Sequence, residues 1–423
     1  MTPPWAPSGA HVDNRTAGSH RAQTVIALRA ARPLHYVDTA TKLERAVAAL
    51  RQEPLVAADS EAAGYHRYVD RLCLLQLSTR RETYLVDAIA LDDLGGLPPL
   101  LRDEGQEVVF HDADYDLRLL DRDFDAEVHG LFDTKIAAQF LGEPALGLAN
   151  LLETHVGVRL SKKHQRADWA QRPLPPGMLE YAAEDTRHLL ALRDLLRDRL
   201  EGAGRLGWAK EEFLVQEQAR WANEENGDAY LRLKGARTLT RRQLAALREL
   251  HGWREERARE LDRATFRVVS SEALVELARR MPLKSVELEQ VHGITEGLAR
   301  RYGAELMDAV SRARKLDDDA LPVRQRRGRR PPRDPEVDAR VDRLKSARDR
   351  RADELGLDRG FLMPRSQLES LARDRPGSVD ELAAMEGVRR WQVEALGVDL
   401  LAALNGATGS RRLGTEARRS HEQ

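Results

Sequence analysis

The chain has 423 residues, of which 42% are hydrophobic and 32% are charged, and its formal net charge at pH 7 is −1. This length predicts about two to four domains, and no apolar run is long enough to cross a membrane. Because the chain is not a polycation, any attraction to nucleic acid must come from local basic patches. The single cysteine, Cys73, excludes internal disulfides and cysteine-rich zinc sites. With no secretion signal expected at the N-terminus, this predicts a cytoplasmic protein.

The N-terminal half alternates strand and helix patterns. Residues 1–31 are rich in Pro, Gly, Ser and Ala, and we expect them to be disordered. The predicted elements that follow are a helix at 41–51, strands at 55–59, 72–78 and 83–87, a short helix at 99–102, a fourth strand at 108–111 and a helix from 115. From 132 onward the pattern is helical, with one long helix predicted from 176 to about 200. These elements predict a mixed α/β domain over 32–205.

The C-terminal half contains an internal repeat with a constant offset of 94 residues (371 minus 277). Leu277-Ala278-Arg279 matches Leu371-Ala372-Arg373, and Gly293 matches Gly387. The gapless register predicts two copies of a helical domain, at 236–316 and 336–405. We predict a helical connector at 206–235, an extended Arg/Pro-rich linker at 317–335 and a disordered tail at 406–423.

An acidic motif ends the first predicted strand of the α/β domain. Residues i and i+2 of a strand point to the same face, so Asp59 and Glu61 present their carboxylates side by side. Two like charges this close are costly without a cation. Oxygen ligands of this kind suit Mg²⁺.

Two further acidic stretches follow. Asp112, Asp114 and Asp116 lie where a strand runs into a helix, and taken alone they are typical of a helix N-terminal cluster. Tyr181 and Asp185 share one face of the long helix. Taken alone that spacing is usually structural, although an Asp well inside a helix has poor propensity and slightly favours function.

Together these stretches resemble the DEDD superfamily of 3′–5′ exonucleases, in the subgroup with a tyrosine in the third motif, and within it the ribonuclease D family. The repeated helical domains resemble HRDC modules, the second copy being the more degenerate. The resemblance spans about residues 35–405. It implies an α/β ribonuclease H-like exonuclease domain, with a mixed sheet and flanking helices, followed by two all-α HRDC helical bundles. The matching segments are Asp59-Ser60-Glu61 with 72–77, Phe110-His111 with Asp116 rather than Asp112 or Asp114, 132–134, 162–169, 172–174 and Tyr181 to Asp185.

The resemblance also implies two Mg²⁺ or Mn²⁺ ions, which in such sites lie about 4 Å apart. Asp59 would bridge both ions, Glu61 and Asp185 would complete the site that activates water, and Asp116 would hold the second ion. Tyr181 would orient the attacking water, because tyrosine is a weak base at neutral pH.

The contacts to nucleic acid are less clearly indicated. The family commonly has an aromatic residue directly after the first-motif glutamate, and here that position is Ala62, for which the nearby Tyr65 or Tyr68 could substitute. Two structural alternatives stay open. One is that the histidine of the second motif is a core residue, and the other is that the basic loop before the third motif is a solvated surface. Our hypothesis names Tyr65, Gln76, His111, Lys162, Lys163, Arg166 and Arg172 as nucleic-acid contacts.

We therefore predict a monomeric 3′–5′ exoribonuclease that trims structured RNA, such as tRNA precursors, and releases nucleoside 5′-monophosphates. The HRDC copies, which lack a nucleotide-binding loop, would position the substrate. One alternative is a 3′–5′ DNA exonuclease, since the same metal site cuts either polymer. Another is a non-catalytic nucleic-acid-binding protein, which the presence of all four acids and Tyr181 disfavours.

Overall fold

A computed structural model describes residues 32–222, 228–323 and 334–406. The segment expected to be disordered at 1–31, residues 324–333 of the predicted linker and the tail from 407 lie outside the described residues, so those predictions stay untested. In the exonuclease region the elements are β1 Leu34–Val37, α1 Ala40–Leu50, β2 Leu55–Ala62, β3 Leu72–Ser78, β4 Thr83–Asp87, α2 Leu97–Leu101, β5 Glu107–Phe110, α3 Asp114–Phe124, β6 Leu131–Asp133, α4 Thr134–Phe140, α5 Leu148–Leu151, α6 Pro176–Arg187, α7 Leu189–Gly202 and α8 Leu206–Gln216.

The six strands form one mixed sheet in the order β1-β4-β3-β2-β5-β6. Strand β3 pairs antiparallel with β2 and β4, and the other pairs are parallel. This confirms the α/β prediction. The sequence patterns missed β1 and β6, because strands of four and three residues are too short to show a periodicity. Strand β2 also continues past Asp59, with a register shift between Glu61 and Ala62.

The long helix predicted from 176 to about 200 is two helices. The backbone leaves α-helical geometry at His188, where φ is −109°, and α7 begins one residue later. The break lets α6 pack across β2, β3 and β4 while α7 packs against α4 and β5. The single-helix prediction was therefore wrong, because the apolar pattern alone does not reveal that its two parts cover different neighbours.

The C-terminal region consists of two helical bundles with matching elements. The first copy comprises α9 Arg241–Glu260, α10 Thr265–Val268, α11 Ser271–Arg280, α12 Ser285–Glu289 and α13 Glu296–Lys315, and the second α14 Pro335–Leu355, α15 Arg359–Leu362, α16 Arg365–Asp374, α17 Val379–Ala383 and α18 Arg390–Leu404. Helices α11 and α16 both end in a left-handed residue with φ of +51°, Met281 in one and Arg375 in the other. The predicted repeat is confirmed element by element.

The two copies meet the exonuclease domain differently. The second copy shares its apolar core with that domain: the Phe140 ring lies 4.8 Å from Phe361 and 4.9 Å from Trp391. The first copy has a core of its own. It meets the exonuclease domain at the loop after β2 through polar contacts such as Arg67 with Asp262. Apolar burial therefore fixes the second copy, whereas ion pairs and hydrogen bonds hold the first together with ring contacts of Tyr65 and Tyr68.

Across the residues that the structure describes, no helix combines the length and the apolar character needed to cross a membrane.

Candidate active site

Three elements bring the predicted acids together. Strand β2 carries Asp59 and Glu61 at the centre of the sheet. Strand β5 runs parallel to β2, so the helix that follows it, α3, places Asp116 in its first turn beside them. Helix α6 crosses β2, β3 and β4 and adds Tyr181 and Asp185. Asp116 is buried, and the other side chains are partly accessible, as a site that admits substrate requires.

The pKa values of the four acids report how closely they are gathered. Removal from water raises the pKa of Asp59 well above its usual range, and the charges of Asp116, Asp185 and Glu61 raise it further. The pKa of Glu61 is raised by the same removal from water and by Asp185 and Asp116. The other three acids therefore destabilise the ionised form of Asp59, and Asp116 and Asp185 destabilise that of Glu61.

The pKa values of Asp116 and Asp185 are also raised, but mainly by burial rather than by the other acids of the cluster. Burial raises the pKa of Asp116 to about 7, although the Ser60 hydroxyl, which donates to its carboxylate, opposes the shift. Removal from water and the charge of Glu184 raise the pKa of Asp185 to about 7, and its interaction with the Tyr181 hydroxyl opposes that shift. The cluster cannot be fully ionised at neutral pH without a compensating cation.

The chemistry of the donor set fits a hard divalent cation. All four side chains offer carboxylate oxygens, the ligands that Mg²⁺ and Mn²⁺ prefer. No lysine or arginine is among the main groups that set the pKa values of Asp59, Glu61 and Asp185. Within the described ranges, no three His, Cys, Asp or Glu side chains already stand in a complete metal-binding arrangement. Forming one requires side-chain movement, and the Ser60 hydroxyl now holds the Asp116 carboxylate.

Tyr181 stands at the edge of the cluster. Its ring lies 5.9 Å from the His164 ring and 6.0 Å from that of Trp169. Partial burial and the charges of Asp185, Glu61 and Asp59 raise its pKa, so the phenol stays protonated at neutral pH. A protonated hydroxyl can donate a hydrogen bond but cannot accept a proton as a general base.

Two predicted nucleic-acid contacts, Gln76 and Arg172, make their main contacts inside the protein. Gln76 has no exposed surface and sits on β3 directly opposite Asp59. The Arg172 guanidinium donates to both Asp87 carboxylate oxygens and to the carbonyl oxygens of Trp169, Gln171 and Cys73. The hypothesis that Gln76 contacts nucleic acid was therefore wrong, whereas for Arg172, whose side chain keeps 23% of its surface exposed, it stays a prediction. One is part of the sheet core, and the other ties the loop before α6 to the sheet.

The remaining predicted contacts divide into two groups. His111 Nδ1 lies 2.9 Å from Thr134 Oγ1, and burial lowers the pKa of the imidazole, which supports the core-histidine alternative. Lys162, Lys163 and Arg166 are exposed on the loop before α6. Tyr65 is also exposed, with the Arg166 guanidinium 5.7 Å from its ring centroid. These four residues stay candidates for nucleic-acid contact.

Sequence reasoning missed Asp133, which positions the second motif. Its carboxylate accepts hydrogen bonds from the backbone amides of Asp112 and Ala113, at 3.1 and 2.8 Å, just before α3. It also accepts from the amides of Lys135 and Ile136 at the start of α4. The Asp-Thr pair at a helix start was the available signal, but the link to the other chain segment is visible only in three dimensions.

Gln76 leads to a prediction that separates stability from activity. Within the described residues, neither amide atom of Gln76 has a hydrogen-bond partner. We expect Gln76→Leu to leave the free energy of unfolding within about 1 kcal/mol of wild type, because no hydrogen bond is lost. We expect it to lower exonuclease activity by about tenfold or more, as loss of a polar group beside a metal ligand does. Urea unfolding and steady-state RNA degradation measure the two effects.

Gln106→Leu is the matched control for this variant. Gln106 is also buried, but its amide donates to the carbonyl oxygens of Leu50 and Glu53, away from the acids. We expect it to cost about 1–3 kcal/mol of stability and to leave the activity of the folded enzyme unchanged. If Gln76→Leu behaves like Gln106→Leu, the amide has no influence on Asp59.

Comparisons with known proteins agree with this arrangement. Residues 34–201 match the family model for the 3′–5′ exonuclease domain, and residues 243–310 and 337–404 each match the HRDC domain. Ribonuclease D of Gluconacetobacter diazotrophicus is 35% identical over 70% of this chain and 76% of its own length. Ribonuclease D of Granulibacter bethesdensis is 32% identical over 84% of this chain and 89% of its own length.

A solved structure extends the likeness to three dimensions. The crystal structure of Escherichia coli RNase D, described as an exoribonuclease involved in structured RNA processing, has a TM-score of 0.63 and 29% sequence identity. The alignment covers 88% of this chain and 99% of that one. Fold and sequence together define a divalent-metal-dependent 3′–5′ exonuclease with two C-terminal HRDC domains. The chain belongs to the ribonuclease D family, and its enzyme class is exoribonuclease.

Proposed function

We propose that this exoribonuclease trims the 3′ ends of structured RNAs such as tRNA precursors, and releases nucleoside 5′-monophosphates with the help of two Mg²⁺ or Mn²⁺ ions. The observation that carries the proposal is a cluster of four carboxylates with raised pKa values. In the described part of the chain, no lysine or arginine is among the main groups that act on Asp59, Glu61 or Asp185. Such a cluster disfavours its own ionisation unless it binds cations. Two bound ions would supply charge neutralisation for the phosphate, an activated water and a stabilised leaving oxygen.

The position of each side chain in the cluster determines the role that we propose for it. Asp59, at the centre, would contact both ions, Glu61 and Asp185 would hold one, and Asp116 the other. The protonated Tyr181 hydroxyl, which interacts with Asp185, would hydrogen-bond to the attacking water through its oxygen and orient it. We therefore assign Tyr181 to positioning rather than to proton removal.

The proposal of structured RNA as substrate is supported by the likeness to the Escherichia coli enzyme. A 3′–5′ DNA exonuclease stays the rival in substrate, because only contacts to the 2′-hydroxyl would separate the two polymers. We also propose a monomeric, cytoplasmic enzyme. The single cysteine supports a reducing compartment: burial raises the pKa of the Cys73 thiol to about 12, so the group is inert and forms no disulfide.

The test is incubation of the full chain with a 5′-labelled tRNA precursor that carries a 3′ tail, and with the DNA strand of the same sequence, in Mg²⁺, Mn²⁺ or EDTA. We expect a ladder that shortens from the 3′ end on RNA, requires a metal ion and yields nucleoside 5′-monophosphates. Equal or faster shortening of the DNA strand would overturn the substrate proposal. Binding without cleavage in either metal would overturn the proposed chemistry.

A further inference from the structure

A polar cavity lies where the first HRDC copy meets the exonuclease domain. Its volume is about 550 Å³, and it is lined by His66, Arg67 and Asp168 from one domain and by Asp262, Arg263 and Arg267 from the other. The loop that contributes His66 and Arg67 follows directly after the strand that carries Glu61. The cavity is therefore close in sequence to the acid cluster and spans a domain boundary.

A set of polar contacts fixes the two walls of the cavity. Arg67 bridges them, with one nitrogen 2.7 Å from an Asp168 oxygen and another 3.1 Å from an Asp262 oxygen. The amide of Ala264 donates to the carbonyl oxygen of His66 at 3.1 Å. Both carboxylates that line the cavity are therefore paired with the same arginine, Arg67.

Among the residues that the structure describes, no carboxylate forms an ion pair with either of the other two arginines of the cavity. Arg267 lies with a guanidinium nitrogen 2.7 Å from His66 Nδ1 and is exposed. Arg263 is exposed, and no ion pair or side-chain hydrogen bond of it is found within the described ranges. The cavity therefore presents an excess of guanidinium donors. Their planar geometry matches phosphate oxygens.

An exposed aromatic pair adjoins these arginines. Tyr65 and Phe266 are 39% and 48% exposed, and their ring centroids are 5.5 Å apart. The guanidinium groups of Arg166 and Arg267 lie 5.7 and 5.1 Å from the Tyr65 ring centroid. Solvent-exposed aromatic rings flanked by arginines are the combination on which bases of single-stranded nucleic acid stack.

The second HRDC copy shows that the bundle itself does not require these arginines. At the repeat offset of 94 residues (357 minus 263), Leu357 replaces Arg263 and Phe361 replaces Arg267. Leu357 is buried and Phe361 packs against Phe140 of the exonuclease domain. The same turn is thus an apolar dock in one copy and a basic, aromatic surface in the other.

We propose that Arg263 and Arg267 bind a backbone phosphate of the single-stranded RNA 3′ tail, upstream of the nucleotide being removed, while Tyr65 and Phe266 stack a base of the same tail. This inference rests on the proposed exonuclease function for its substrate. Through this subsite, the affinity of the enzyme for RNA depends on the length of the single-stranded tail. A dinucleotide offers at most one nucleotide upstream of the bond that is cut, so we expect its cleavage not to depend on this subsite.

The test compares a 12-nucleotide single-stranded RNA with a dinucleotide in the full chain. We expect Arg263→Ala/Arg267→Ala to raise KM for the 12-mer by about tenfold and to leave kcat/KM for the dinucleotide unchanged. Binding of the labelled 12-mer in EDTA should show a salt slope smaller by about 0.7, the value for one lost phosphate contact to a single strand. The double lysine variant should recover the salt slope but only part of the affinity, because lysine supplies the charge without the planar fork of donors.

Arg300→Ala/Arg365→Ala is the matched control, since both arginines are exposed and lie outside the cavity lining. It should bind and cleave the 12-mer as wild type does. The proposal is overturned if the cavity variant does the same, or if it loses dinucleotide cleavage in equal measure, which would indicate a clasp that only holds the domains. Failure of the proposed function gives a different result: wild type would cleave neither RNA, while the binding comparison in EDTA would still report on the cavity.

Discussion

Asp116→Asn is expected to lower exonuclease activity by more than about 100-fold, while Asp114→Asn, two residues away on the same helix, is expected to retain it. Loss of a group that only supports a metal ligand costs about 10–100-fold, so loss of a ligand itself should exceed that range. Asp116 is buried beside Ser60 in the acid cluster. Asp114 is exposed and paired with Arg118 at 2.9 Å. The measurement is the initial rate of nucleotide release from a single-stranded RNA in Mg²⁺.

Asp59→Asn adds a readout that does not depend on activity. Three neighbouring acids destabilise the ionised form of Asp59. Removing its charge should therefore not lower the thermal unfolding midpoint in EDTA. A ligand that binds only the folded state stabilises it by RT ln(1 + [L]/Kd). Wild type should therefore gain stability on addition of Mn²⁺, and Asp59→Asn should gain much less. If both proteins respond equally to Mn²⁺, or if Asp114→Asn loses activity as Asp116→Asn does, the assignment of these acids to the metal site is wrong.

Arg172→Ala is expected to lower the free energy of unfolding by about 3–5 kcal/mol, because it leaves the buried Asp87 carboxylate without its cationic partner. Asp87 is only 1% exposed, and Arg172 contacts both of its oxygens, with Nε 2.6 Å from the nearer one. Arg172→Lys should recover little, since a single ammonium cannot reproduce a two-pronged contact plus three carbonyl hydrogen bonds. Urea unfolding at pH 7 measures the change. The control is Arg365→Ala, whose exposed pair with Glu369 should be worth about 1 kcal/mol or less.

The stability that the Arg172–Asp87 ion pair contributes depends on pH in a defined way. Burial by itself would raise the pKa of Asp87, but hydrogen bonds from Arg172 and Tyr36 outweigh it, so the pKa is lowered. A carboxyl whose folded pKa is depressed contributes stability above its unfolded value of about 3.9, and that contribution is lost as pH falls through the folded value. The stability difference between wild type and Asp87→Asn should therefore be largest at pH 5–7 and shrink below about pH 4. A constant difference down to pH 3 would contradict the ionised pair.

The sequence by itself determined which chemistry-bearing residues belong together. Alternation along a strand places Asp59 and Glu61 on one face, and one helical turn separates Tyr181 from Asp185. These are local relations, fixed by backbone geometry, and the structure reproduces them. The constant offset between the helical copies is also a property of the sequence alone, and it gave their matching elements before any coordinates.

Only the tertiary structure decided what each side chain faces. From the sequence, Arg172 is an ordinary basic loop residue. In the structure its guanidinium donates to Asp87, which is distant in sequence. From the sequence, Gln76 is an ordinary polar strand residue. In the structure it is buried, because both faces of β3 are covered. The matching turns of the two HRDC copies also became an apolar dock in one case and an arginine-lined cavity in the other. The periodicity of a sequence specifies the direction of a side chain relative to its own backbone. The partner that it meets comes from a distant segment, which no local pattern records.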